Sequence, residues 1–134
     1  MCLEVTVLLP RGVQPRVEPS DVAVTSGLHV TLFRTDDGRA AFRFSGTGGC
    51  SCDLLPEDPG AKSPSWKLET NRPPQVAEAV AAIAKRNPAF SFRATWLGID
   101  SVAPASASVS LPDLKRVIAT NAIGNGIEYV VGAA

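Results

Sequence analysis

Cys50-Ser51-Cys52 is the sharpest local feature of the sequence. Two thiols at i and i+2 can coordinate a soft metal or cycle as a dithiol. A structural zinc site needs four ligands, and only Cys2, His29, Asp53 or another acid is on hand to complete the set, with no second Cys-x-x-Cys pair. On a strand, side chains at i and i+2 run parallel, which is poor disulfide geometry. Free cysteine is also among the most buried residue types. Buried structural thiols are therefore the favoured reading. Thiol redox or metal binding through Cys50 and Cys52 is the alternative. The favoured reading expects slow labelling of both thiols in the folded protein, because apolar surroundings penalise the thiolate.

His29 is the single histidine. It could act as a general base beside a cysteine, but the strand register given below places it opposite Ser45 and on the other face from the two thiols. A surface or sheet-face histidine is the simpler reading, and His29 is kept as a candidate for binding. Gly46-Thr47-Gly48-Gly49 resembles a phosphate cradle only in composition. A P-loop continues into Gly-Lys-Ser/Thr at the start of a helix, whereas cysteine and serine follow here, so a bulge or turn accounts for the glycines. Asp36-Asp37 is explained by the Asp-Gly turn that it opens. Asp53, Glu57 and Asp58 lack the alternating oxygen spacing of a calcium loop. No zincin, nucleophile-elbow, dinucleotide-binding or kinase pattern occurs. These observations assign no catalytic residue, metal or cofactor, and they point away from an enzyme.

Three further residues are candidates for binding. Arg43 and Arg93 fall on strands at positions that face away from the apolar side chains, beside Phe33. That combination suggests an RNA-binding sheet, but one aromatic residue and a net charge of +0 weigh against nucleic acid. Trp66 borders a segment rich in proline and charge, residues 56–65, which reads as a solvated loop. Tryptophan is enriched at interaction hot spots, so Trp66 is a candidate anchor, although packing under the loop is the commoner use.

The elements that must position these residues follow from periodicity. Leu3, Val5, Val7 and Leu9 alternate with Glu4, Thr6 and Leu8, which specifies a strand. Pro10, Pro15 and Pro19 mark residues 10–21 as a connector. Leu28, Val30 and Leu32, then Phe42 and Phe44, form two alternating runs around Asp36-Asp37-Gly38, the signature of a hairpin. A three-residue loop with Gly38 left-handed pairs Thr35 with Arg39, Leu32 with Phe42 and Val30 with Phe44. Extending the same register pairs Val24 with Cys50 and Val22 with Cys52, with bulges at Gly46, Gly48 or Gly49 able to shift it. Trp66 and Leu68 suit a short edge strand. A helix is expected from Pro74, with Val76, Val80 and Ile83 as its apolar stripe, ending before Pro88. Phe90, Phe92, Ala94 and Trp96 alternate as a strand. Residues 98–109 are small and carry only Asp100. Ser110 suits the N-cap of a second helix striped by Leu111, Leu114, Val117 and Ile118, with Gly124 as its stop. Ile127, Tyr129 and Val131 close the chain as a strand.

The expected order is β-β-β-α-β-α-β. Helices linking successive strands imply crossovers in a mixed sheet. Two helices suffice to cover one face of about five strands, giving an α+β two-layer sandwich in a single globular domain over residues 1–134. The other face carries Glu4, Thr6, His29, Thr31, Phe33, Arg43, Arg93, Thr95 and Glu128, a solvated face with a few apolar members.

Composition bounds the function. Thirteen basic residues balance thirteen acidic ones, which gives no electrostatic reason to expect nucleic acid or an anionic membrane. No apolar run approaches the ~20 residues of a membrane span, and Met-Cys-Leu-Glu shows no secretory signal. Three cysteines, an odd count, suit a reducing, cytoplasmic setting. The expected function is a small intracellular protein-interaction or regulatory domain without catalysis, partnered by another protein or by itself. The alternatives are the thiol protein above and a small-molecule binder with its pocket between the 56–65 loop and the sheet.

Overall fold

A computed structural model describes residues 2–45, 72–97, 105–120, 122–124 and 126–132. Within them the chain runs β1 (Cys2–Leu8), α1 (Pro19–Ser26), β2 (His29–Arg34), β3 (Ala40–Ser45), α2 (Arg72–Ala84), β4 (Phe90–Leu97), β5 (Ala105–Ser108), α3 (Leu111–Ala119) and β6 (Ile127–Val131). The strands form one six-stranded sheet in the order β2-β3-β1-β4-β6-β5. All neighbours are antiparallel except β5 and β6, whose parallel pairing is bridged by the α3 crossover. The expected α+β two-layer sandwich is therefore what the chain forms, with one more strand and one more helix among the described residues than the sequence pattern implied.

Parity places the core. Val5, Val7, Phe42, Phe44, Phe90 and Phe92 share one face of the three strands β3, β1 and β4 and are buried. Against them pack Val22 from α1, Val76, Val80 and Ile83 from α2, and Leu114 and Ile118 from α3. The helices lie side by side, α1 on α2 and α2 on α3. The stripe Val76, Val80 and Ile83 is thus the buried face expected from its spacing. Ser110 caps α3 as anticipated, its side chain accepting a bond from the Asp113 N–H at 3.2 Å.

The hairpin forms in the expected register, with Leu32 opposite Phe42 and Val30 opposite Phe44. The Thr35 N–H donates to the Arg39 carbonyl at 2.8 Å, and Gly38 has a φ of 86°. Glycine suits that backbone because it has no Cβ to clash.

Several boundaries differ from expectation. Residues 19–26 are helix α1, so Val22 and Val24 are not strand partners of Cys52 and Cys50, and the extended register fails there. Pro19 opens α1 in its first turn, and Gly27, at φ 75°, closes it with its N–H on the Ala23 carbonyl at 2.8 Å. Val22 and Ser26, one helical turn apart, make its buried side, whereas Val24 is 86% exposed. The two valines at i and i+2 therefore mimic strand alternation without sharing an environment. Helix α2 starts at Arg72 rather than Pro74, and α3 ends at Ala119 with Thr120 as its cap, ahead of Gly124. The nearly uncharged stretch after β4 contains β5, whose Ala-Ser-Ala-Ser sequence carries no strand signal of its own.

Candidate functional site

The helix-free face of the sheet is built by the side chains of opposite parity to the core. Register aligns them in rows. One row runs Thr31, Arg43, Thr6, Arg93, Glu128 across β2, β3, β1, β4 and β6. The next runs Phe33, Ala41, Leu8, Ser91, Val130 across the same strands. Neighbouring strands lie about 4.8 Å apart, so each row spans roughly 19 Å.

This face is not uniformly wet. Thr6, Leu8, Ala41 and Ser91 are buried although no helix among the described residues lies on their side of the sheet. Arg39, just before β3, reaches Glu128 on β6, its Nη1 donating to both carboxylate oxygens at 3.2 and 3.3 Å. Strands β1 and β4 lie between those two residues in the sheet. The contact therefore requires the sheet to curl toward this face, and strand twist supplies such curvature. A sheet curled in that direction is concave on this face.

The hairpin end is held by charge. Arg39 Nε, buried, lies 2.9 Å from Asp37 Oδ2, but its N–H is not aimed for a well-formed hydrogen bond. Arg34 Nη1 donates to the Gly38 carbonyl at 2.9 Å. The Thr35 hydroxyl bonds the Asp37 carboxylate, and this bond, followed by the Arg39 charge, lowers the Asp37 pKa from its ordinary value of 3.8. A lowered carboxyl pKa contributes stability above the unfolded value that is lost as pH falls through the folded one. The Asp37 carboxylate is therefore expected to titrate below pH 3.8 by NMR, and Thr35→Val should move that midpoint upward. An unchanged midpoint in Thr35→Val would assign the shift to Arg39 instead.

Arg39 borders two hollows. One, about 480 Å³, is of mixed polarity and lies among Glu4, Phe33, Asp36, Asp37, Arg39 and Arg93. The other, about 440 Å³, is more apolar and lies at the strand ends among Leu9, Phe90, Val130 and Val131.

Of the residues singled out from sequence, His29 and Arg43 are exposed on this face and Arg93 is half-buried. Arg43 and Arg93 flank Thr6 in one row, two strands apart. His29 pairs with Ser45 at the sheet's edge, as expected, and does not join the two arginines. Among the described residues, no group of three or more His, Cys, Asp or Glu side chains is arranged to hold a metal ion. Trp66, Cys50, Cys52, Gly46–Gly49 and the 56–65 loop lie outside the described residues. Arg39 is the contributor that sequence reasoning missed. Its odd number in the hairpin register already placed it on this face, but its reach to Glu128 depends on sheet curvature. No family model matches this chain, and neither a curated protein nor a solved structure does. No helix among the described residues is long and apolar enough to cross a membrane.

Proposed function

We propose that this chain is a non-enzymatic protein-interaction domain of the cytoplasm whose concave sheet face docks an acidic surface of a partner protein. One observation carries the reading. Arg39 is ion-paired with Asp37 and Glu128, whereas among the described residues Arg43 and Arg93, on the same face and in one row, have no ion pair or side-chain hydrogen bond. Two cationic groups about 10 Å apart across two strand spacings, beside the partly exposed Phe33 ring, match a macromolecular footprint better than a single small anion. Arginine and aromatic residues are the types enriched where interfaces are tight. The cytoplasmic setting rests on the odd cysteine number, which suits thiols kept reduced.

The test is capture from the native host with wild-type protein and with Arg43→Glu/Arg93→Glu, followed by titration of the captured partner. Each single reversal is expected to weaken binding about tenfold or more, with affinity falling as salt rises. Thermal stability should move by no more than ~0.5 kcal/mol for Arg43→Glu, because Arg43 is exposed; Arg93→Glu sets a carboxylate opposite Glu128 and should cost somewhat more. Equal capture of the same proteins by the double reversal would remove this face from the function.

A further inference from the structure

The two edges of the sheet differ. Strand β5 is four residues of alanine and serine, short enough to offer little to another chain. Strand β2 is six residues, pairs with β3 without a bulge from His29 to Arg34, and contains no proline and one formal charge, Arg34. Among the described residues no strand pairs with its outer side. Leu32 on the helix side and Phe33 on the other side are 44% and 37% exposed. The guards that normally blunt an edge strand are thus missing from its middle.

The hydrogen-bond phase of this edge is determined. The Thr35 N–H donates to Arg39, whereas the Ala40 carbonyl accepts from Leu9 on β1. Odd-numbered residues of β2 therefore spend their backbone groups on β3, and Val30, Leu32 and Arg34 aim theirs outward. Any antiparallel partner must bring outward-bonding residues opposite these.

We propose that two copies of this chain pair β2 to β2, antiparallel, about a twofold axis through Thr31. Matching outward-bonding residues sets Val30 opposite Leu32 of the second copy and His29 opposite its Phe33. Each exposed apolar side chain then gains a cross-strand neighbour on its own side of the sheet. Arg34 falls opposite Leu28 of the second copy, beside the carbonyl end of its α1, which has no basic residue in its last turn. A cation there is favourable, whereas a parallel arrangement would set the two Arg34 side chains together. The helices of both copies lie on one side and the concave faces join on the other. This association stands independently of what binds those faces.

Sedimentation and native-state hydrogen exchange test it. The wild-type chain is expected to pass from 14.0 kDa to twice that mass as concentration rises. Leu32→Lys removes two symmetric cross-strand pairs and should weaken the dimer roughly tenfold. In dilute monomer the amides of Val30 and Leu32 should exchange fast and those of Thr31 and Phe33 slowly. On dimerisation Val30 and Leu32 should become protected. With the three native cysteines replaced by serine, Thr31→Cys should crosslink readily, because a non-hydrogen-bonded pair holds its Cα atoms about 4.5 Å apart, within disulfide range. Leu32→Cys should not. A wild-type chain that stays at 14.0 kDa up to about 1 mM overturns the proposal. So does slow exchange of Val30 and Leu32 in the monomer, which would mean the edge is already covered within one chain.

Discussion

Phe42→Ala is expected to destabilise the protein by ~3–5 kcal/mol, the usual cost of truncating a fully buried phenylalanine. Phe42 is 0% exposed and sits in the middle of β3, opposite Val7 on β1 and Leu32 on β2. The helix layer closes over it, so the methyl that remains cannot collapse onto a neighbour without moving α1 or α2. The loss combines removal of ring contacts with a cavity between two layers. Chemical denaturation should show a lower midpoint with an unchanged slope, since the surface exposed on unfolding is nearly the same. Thermal midpoint should fall by roughly 10–20 °C. Leu32→Ala is the internal control. Its side chain is 44% exposed at the sheet's edge, so its cost should stay below about 1.5 kcal/mol, less than fully burying a leucine contributes. Equal costs for the two substitutions would show that the edge is as enclosed as the centre.

Asn87→Leu should cost about 2–4 kcal/mol through a different mechanism. Asn87 is 2% exposed. Its Oδ1 accepts from the Arg16 N–H at 2.9 Å, and its Nδ2 donates to the Gln14 carbonyl at 3.1 Å. One side chain thereby fastens the connector between β1 and α1 to the turn between α2 and β4. Leucine has a similar size but offers neither bond, and it holds water away from both backbone groups. Each partly buried group left unsatisfied costs about 1–3 kcal/mol. Hydrogen exchange at Arg16 should accelerate more than exchange at Phe42 or Phe92, marking local release of the connector before global unfolding. Uniform acceleration at all three amides would mean that Asn87 supports the whole fold and not this tether.

Much of the architecture was readable before any coordinates. The Asp-Gly turn with Gly38 left-handed set the register of β2 and β3, and the period-two runs gave β1, β4 and β6. The stripes at 76, 80 and 83 and at 114 and 118 marked α2 and α3, and Ser110 marked a cap. Those features share a physical basis. Each is local, arising from backbone sterics, capping or the period with which side chains meet one buried surface. Parity alone also placed His29, Arg43 and Arg93 together on the face away from the helices.

What needed the tertiary structure was non-local. Strand β5 has no pattern of its own and exists because β6 lies beside it as a parallel partner. Helix α1 carried its end signals at Pro19 and Gly27, but Val24 is apolar and solvent-exposed, so the pattern between those signals pointed to a strand. Asn87 reads as an ordinary residue before a proline until two backbone groups from 71 and 73 positions away converge on it. The bridge from Arg39 to Glu128 spans 89 positions and two intervening strands. It depends on how far the sheet curls, a quantity summed over many small strand twists. The sequence by itself determined which side chains share a face. Only the folded sheet decided that Arg39 is ion-paired with Asp37 and Glu128, while Arg43 and Arg93 have no ion pair among the described residues.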